Sequence, residues 1–333
     1  MRCVSFKFPP TRQTRKLVRA ARWHGLVAMF VASFCLAAGS QTAELAVKRA
    51  ALLEKLNRLD EAQKVLEKQA SAQPTFDSLF LLAKIAKERG DFAVALKSLK
   101  LAAEIEPGKE DSYLEFSTIC ADHGNDQLAL DSAEIGLDHV PDSYRLTVQK
   151  GAVQEKLGYL ADAELTLRKA IGMRKDNGVA LLSLAVVQAH GGHPDAAEQT
   201  LASAIRQFPD NYYMHYFRGK LLLQLPSATG AGQHESARRS LEKSIQLNPE
   251  YADAYYQLSN VYTATAPKLA EKALHKCLQL DPNHIPAQYS LARLYVRTGR
   301  KAEGEALFAH LKTQQRAEEL QQQKQLRIEI AAN

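Results

Sequence analysis

Apolar residues in this chain recur at intervals of three and four positions. Ala95, Leu99 and Ala102 fall at i, i+4 and i+7, and the same spacing of small and large apolar residues returns further along the chain. This spacing places such side chains on one face of an α-helix. No stretch alternates apolar and polar residues for long enough to indicate a β-strand. The pattern therefore predicts an all-α protein.

The helical pattern belongs to a repeat of 34 residues, marked by Gly90, Gly124, Gly158 and Gly192. Glycine tolerates the left-handed backbone that closes a helix, and alanine lets two helices cross closely. Proline ends a helix because it lacks the N–H donor that an inner turn needs. Each repeat therefore predicts two helices, A and B, joined by a glycine turn.

The residues that carry this pattern form three sets. Those expected at close helix crossings are Ala95, Ala129, Ala163, Ala197 and Ala237; those expected between repeats are Leu99, Leu167, Leu201, Leu241 and Leu274; those expected to end the B helices are Pro74, Pro107, Pro141, Pro209, Pro249 and Pro282.

The period and its order of small, large, small and proline residues resemble the tetratricopeptide repeat (TPR). The resemblance covers nearly all of the chain after residue 40 and implies a right-handed superhelical α-solenoid of about eight helical hairpins over residues 41–316. The repeats run approximately 43–75, 76–109, 110–143, 144–177, 178–211, 212–251, 252–284 and 285–316.

Two segments depart from the period. The sixth repeat carries an insertion at residues 225–234 whose Gly, Ala and Ser content predicts a flexible surface loop. Residues 317–333 are predicted to form a separate C-terminal capping helix and tail, which cover and solvate the exposed face of the last hairpin. A short partner-binding tail is the alternative interpretation of that segment.

Residues 1–40 have the features of an export leader. They contain seven Lys and Arg residues and no acid, an apolar run over residues 26–38, and a small-x-small pattern at Ala38-Gly39-Ser40. We expect cleavage after Ser40 and a periplasmic or secreted protein. The alternatives are an uncleaved anchor, in which residues 26–38 are the only membrane contact and the repeats face outward, and an organellar presequence.

The net charge of +6 resides in this leader, because the rest of the chain is close to neutral. A near-neutral body lacks the basic surface that phosphate binding requires, so we expect no nucleic-acid partner.

The sequence contains no motif typical of catalysis, phosphate binding or metal binding, such as GxSxG, GxxxxGK[ST], HExxH or CxxC. Cys120 and Cys277 lie on apolar helix faces several repeats apart, which predicts two buried thiols and no disulfide. We therefore predict no enzymatic activity, no cofactor and no metal.

The resemblance implies that the A helices line a concave groove, whose residues can report on a ligand. The fifth position of the last three repeats is tyrosine, and the ninth position is Lys, Asn and Arg. Tyrosine suits exposed binding surfaces, and the polar row can bind a peptide backbone or a carboxylate. The predicted peptide-binding residues are Tyr213, Tyr216, Lys220, Tyr256, Asn260, Tyr289, Arg293 and Arg297.

The alternative for the three fifth-position tyrosines is that they pack between adjacent A helices. On either interpretation the chain is predicted to be a non-catalytic adaptor that binds a protein or peptide segment. The competing function is that of a membrane-anchored structural or assembly subunit of an envelope complex.

Overall fold

The computed structural model describes residues 42–174, 178–224 and 231–332, with side chains up to residue 316 except that of Ala231. All sixteen secondary-structure elements within these ranges are α-helices, which confirms the all-α prediction. The predicted leader, with its apolar run 26–38, and residues 225–230 of the insertion lie outside the described residues.

The helices alternate between the A and B positions of consecutive hairpins, and helices that follow one another pack together over residues 59–139 and 160–332. The A helices are α1 (42–55), α3 (Phe76–Glu88), α5 (Glu110–Asp122), α7 (Tyr144–Lys156), α9 (Val179–His190), α11 (Tyr212–Gln224), α13 (Ala252–Tyr262) and α15 (Ile285–Arg297). The B helices are α2 (Leu59–Ala72), α4 (Phe92–Ile105), α6 (Asp126–His139), α8 (Leu160–Met173), α10 (Pro194–Gln207), α12 (Ala231–Leu247), α14 (Pro267–Leu280) and α16 (Lys301–Ala332).

The chain forms two compact units, one ending at Val153 and one starting at Gln154. We call them the N-terminal body and the C-terminal body. In the described part of the chain, no helix combines the length and the apolar character needed to cross a membrane.

In most hairpins, a residue with a left-handed backbone conformation closes the A helix. The four predicted glycines have positive φ angles, as at Gly90 (φ 77°) and Gly158 (φ 79°). The N–H of the next residue then donates to the carbonyl oxygen five residues back, as from Asp91 to Ala86 at 2.8 Å. Asn57, with φ 56°, takes this position in the first hairpin, where the sequence offers no glycine.

The residues predicted at helix crossings are buried. The five crossing alanines are fully buried, and the five inter-repeat leucines are at most 1% exposed. The B helices end shortly before the prolines, as α4 ends at Ile105 before Pro107. The sequence therefore identified the residues on which the hairpins pack.

Part of the predicted insertion loop is helical. Residues 231–234 are not loop, because α12 already begins at Ala231. The amide Nε2 of Gln233 donates to the carbonyl oxygen of Leu222 at 2.7 Å. This bond satisfies a carbonyl in the last turn of α11 that has no partner within its own helix.

The prediction of a separate capping helix is wrong. Residues 317–332 continue the last B helix, so that α16 runs without a break over 32 residues from Lys301 to Ala332. The reason lies in the sequence: after Gly304, this segment contains no glycine or proline that would end a helix.

Both predicted buried thiols are confirmed, since Cys120 and Cys277 are buried and free. Burial raises the pKa of the Cys120 thiol, and burial raises that of Cys277 to about 12. Neither thiol is therefore a reactive thiolate at neutral pH.

A matched pair of glycine substitutions tests the close packing of the hairpins. A Cβ atom added at Gly219 would lie 2.6 Å from Cγ of Leu241 and 3.2 Å from the carbonyl oxygen of Ala237. A Cβ atom at Gly172, in α8, would meet no atom within 4 Å. We expect Gly219→Ala to lower the free energy of unfolding by about 1–3 kcal/mol through overpacking.

Gly172→Ala should instead stabilise the protein by roughly 0.5–1 kcal/mol, because alanine favours a helix over glycine. Urea unfolding followed by circular dichroism measures both changes. Equal shifts of the two midpoints would mean that α11 and α12 do not approach each other as closely as described.

Candidate functional site

The eight predicted binding residues lie on the last three A helices of the C-terminal body. Tyr213, Tyr216 and Lys220 belong to α11, Tyr256 and Asn260 to α13, and Tyr289, Arg293 and Arg297 to α15. The three fifth-position tyrosines each contact a different partner ring. The structure does not bring them into one aromatic cluster.

Tyr216 is a core residue rather than an accessible one. Its side chain is only 6% exposed and packs against Leu241, Ala254 and Leu258. Burial, together with the nearby carboxylate of Asp253, raises its pKa to about 12. Tyr216 therefore has the packing role that was the alternative for the tyrosine row, and it is not available to contact a ligand.

Tyr216 belongs to a cluster of four tyrosine rings at the junction of α11 and α13. Its centroid lies 5.0 Å from that of Tyr251 in an edge-to-face arrangement and 5.5 Å from that of Tyr213. Tyr212 completes the cluster at 5.2 Å from Tyr251. Such edge-to-face pairs add to the stabilisation from burial. Burial is the main reason that the pKa values of Tyr213 and Tyr251 are raised.

Sequence reasoning missed Tyr251, because it precedes α13 as the N-cap residue. Comparison with the next repeat could have identified it, because His284 occupies the equivalent position there as the N-cap residue of α15. The same contact recurs there, since the ring of Tyr256 lies 4.9 Å from that of His284. In both repeats the fifth-position tyrosine packs on the residue that starts the next A helix.

His284 holds this second junction through both ring nitrogens. Nδ1 lies 3.1 Å from the backbone N–H of Ala287, from which it accepts, and Nε2 lies 3.2 Å from Oδ1 of Asp253. The tautomer with the proton on Nε2 satisfies both contacts. Asp253 is therefore engaged in a contact between α13 and the start of α15.

Tyr289 lies in the last described hairpin and contacts the B helix of that hairpin. Its ring lies 6.0 Å from that of Phe308 in α16, and its hydroxyl donates to Oε1 of Gln315 at 3.4 Å. Tyr289 remains partly exposed, as does Tyr256, and Tyr213 is exposed over 39% of its surface. These three rings therefore keep apolar area that a ligand could contact.

The four polar residues of the prediction differ in the hydrogen bonds that they form. Arg297 donates to the carbonyl oxygen of Thr263, which follows α13, so its guanidinium connects two repeats. Among the residues that the structure describes, Asn260 and Arg293 bond only within their own helices, to Gln257 at 3.2 Å and to Ser290 at 3.4 Å. Lys220 has no hydrogen bond or ion pair with any other residue in the described ranges.

Lys220, Asn260 and Arg293 thus present donor groups at the same position of three consecutive A helices. We call them, with the partly exposed rings of Tyr213, Tyr256 and Tyr289, the A-helix face. Its cations can hold a carboxylate, and its amide can bond to an extended peptide. The described residues include no group of three or more His, Cys, Asp or Glu that could hold a metal ion.

Models of the tetratricopeptide repeat match the sequence in three segments, residues 43–76, 156–221 and 264–327. Together these segments cover about half of the chain. No curated protein is significantly similar to it in sequence.

Solved structures of repeat proteins share the fold. A tetratricopeptide repeat protein from Parabacteroides merdae is 18% identical, with a TM-score of 0.63 over 77% of this chain and 99% of that one. A chain of the APC/C hetero-tetramer Cut9–Hcn1 is 16% identical, with a TM-score of 0.55 over 74% of this chain and 48% of that one.

Human IFIT1, in a dimer with PPP-AAAA, is 17% identical, with a TM-score of 0.52 over 79% of this chain and 66% of that one. At these identities the likeness concerns the fold alone. The 34-residue period, the glycine-closed hairpins and the matches to the repeat models agree with one another, and the chain belongs to the tetratricopeptide repeat family.

Proposed function

We propose that this protein is a non-catalytic adaptor that binds an extended, acidic segment of a partner protein on the A-helix face. The TPR fold supports the general role, because repeat arrays of this kind serve as scaffolds for protein–protein interaction. The preference for an acidic segment, or for a C-terminal carboxylate, follows from the cations and hydrogen-bond donors of the A-helix face.

The observation that carries the proposal is the row of donors at the ninth positions of α11, α13 and α15. Lys220 and Arg293 form no ion pair among the described residues, whereas Arg218 and Arg300 are each paired with a glutamate at 2.6 Å. Uncompensated cations beside partly exposed tyrosines favour a partner that brings carboxylates and apolar side chains together.

The buried and cross-linking residues support this face without contacting the ligand. Tyr216 packs behind it, and Arg297 connects α15 to the end of α13. They fix the spacing of the three A helices, so that a partner meets a preformed surface and loses less entropy on binding.

We further propose that this binding takes place outside the cytoplasm. The support for this location is the sequence of residues 1–40, with its basic start, apolar run and small-x-small pattern. If residues 26–38 remain as an anchor, the same surface would serve a membrane-anchored assembly subunit. Cell fractionation separates the two, because the cleaved form stays in the soluble fraction and the anchored form pellets.

A charge reversal tests the A-helix face. The variant Lys220→Glu/Arg293→Glu should lose the partners that the unmodified chain captures from a native extract, because two carboxylates would repel an acidic segment. The matched control is Lys268→Glu/Lys272→Glu, which makes the same change in charge at exposed positions of α14. Affinity capture followed by mass spectrometry compares the three proteins, with circular dichroism as the check on folding.

The expected result is that the control retains the partners and that capture by the unmodified chain weakens with added salt. Partners retained by Lys220→Glu/Arg293→Glu, or lost equally from both variants, would contradict binding at this face.

A second prediction separates packing from binding at Tyr216. The variant Tyr216→Ala should lower the free energy of unfolding by about 3–5 kcal/mol, as expected for a buried aromatic residue. Lys220→Ala should change stability by no more than about 0.5 kcal/mol. A Tyr216→Ala protein that keeps its stability and loses its partner would instead place Tyr216 in the binding surface.

The pH dependence of stability tests the same burial. The pKa of Tyr216 is raised to about 12 in the folded protein, against an ordinary value of about 10 in the unfolded chain. The protonated hydroxyl therefore contributes its full stability below pH 10 and loses it as the pH rises from about 10 to 12. Urea unfolding across this window should show a smaller loss for Tyr216→Phe, and equal losses would contradict the assignment.

A further inference from the structure

The N-terminal body has an apolar groove between two of its B helices. Its volume is about 610 Å³. The B helices α4 and α6 form its two walls, and α5 contributes Ser112, Tyr113 and Phe116 to its lining. The wall residues are Leu99, Lys100, Ala103, Glu104 and Pro107 on the side of α4, and Leu128, Asp131, Ser132, Ile135 and His139 on α6.

The apolar residues of α6 are not required by the repeat. Leu128 is 45% exposed and Ile135 is 52% exposed, so neither is needed for packing within the hairpin. In the next repeat, 34 residues later, the equivalent positions hold Asp162 and Lys169, which are exposed on α8. A repeat of this type therefore folds with charged residues at both positions, and the apolar residues of α6 call for another explanation.

The wall formed by α6 has the geometry that accepts another helix. Leu128, Ser132, Ile135 and His139 follow one another at four, three and four residues, which places them in one stripe along α6. The stripe is about 16 Å long, at 1.5 Å per residue. Two helical ridges with aromatic residues between them form the type of groove in which a partner helix lays its apolar face.

The charges beside the stripe define the partner further. Asp131, Glu134 and Asp138 fall at i, i+3 and i+7 and run along one side of it, and α6 contains no Lys or Arg. Glu134 is paired with Lys150 at 2.8 Å, which leaves two carboxylates. On α4, the opposite charges of Lys100 and Glu104 cancel. The groove is therefore apolar along its centre and negative along the side of α6.

From this geometry we propose that the groove binds an amphipathic α-helix of a partner protein, whose apolar face is flanked by Lys or Arg residues. The apolar face contacts Leu128, Ile135 and the partly exposed ring of Phe116, and the basic residues face Asp131 and Asp138. This site is independent of the A-helix face, which lies on the C-terminal body and favours an acidic, extended segment.

A model peptide tests the proposal with the full chain. The probe is a fluorescein-labelled peptide of roughly 18 residues, long enough to form a helix, with Leu at i, i+3, i+4 and i+7 and Lys elsewhere. A second peptide carries Glu in place of Lys. The variant Leu128→Asp/Ile135→Lys gives α6 the residues found at the same positions of the next repeat, so it should remain folded.

The control variant is Leu165→Lys, which removes a leucine that is 68% exposed on α8. Fluorescence anisotropy should show one Lys peptide bound per chain, with an affinity at least tenfold weaker in Leu128→Asp/Ile135→Lys and unchanged in Leu165→Lys. The Glu peptide should bind at least tenfold more weakly than the Lys peptide at low salt.

Equal binding of the Lys peptide to the unmodified chain and Leu128→Asp/Ile135→Lys would overturn the proposal, as would equal binding of the two peptides. Sedimentation of the unmodified chain provides a further test. A dimer that Leu128→Asp/Ile135→Lys abolishes would mean that a second copy occupies the groove, and this result would also overturn the assignment to a partner helix.

Discussion

The contact between the two helices of each hairpin is the constraint on which the rest of the structure depends. A fully buried alanine stands at the crossing in one hairpin after another, as at Ala95 and Ala197, and a larger side chain there would push the helices apart. Close crossing leaves each hairpin with an apolar edge that only the next hairpin can cover. The inter-repeat leucines fill that edge, so stability is shared between neighbours rather than held in one core.

This constraint also explains why the candidate face has its particular chemistry. Packing determines the residues at the alanine and leucine positions. The positions whose residues can vary are those that make no packing contact within or between hairpins. On α11 and α13 the fifth position is still partly structural, because Tyr216 and Tyr256 contact the residues that start the next A helix. The ninth position has no such packing role. There the side chains of Lys220, Asn260 and Arg293 present hydrogen-bond donors to solvent or to a partner.

Much of the fold could be predicted from the sequence, because the same pattern of helix-closing, helix-crossing and helix-ending residues recurs in most repeats. The glycine turns, crossing alanines and terminal prolines each have a local cause, and their positions were correct. The end of α16 was not predicted, because a missing helix breaker is weaker evidence than a present one. The contacts of Tyr251 and His284 join residues from different repeats, and the sequence alone does not specify which residue starts each helix. The groove beside α6 could have been predicted by aligning the repeats, because Leu128 and Ile135 occupy positions at which the next repeat has charged residues.

The measurement that tests the central claim most directly is site-specific photocrosslinking from the A-helix face in cells. A photoreactive amino acid at Asn260, which is exposed on α13, is compared with one at Lys272, which is exposed on α14. If the protein is an adaptor that binds its partner on this face, position 260 should crosslink to a defined partner and position 272 should not. Crosslinks to that partner from position 272 alone, or no crosslink from position 260 under conditions in which the partner is captured, would contradict the account.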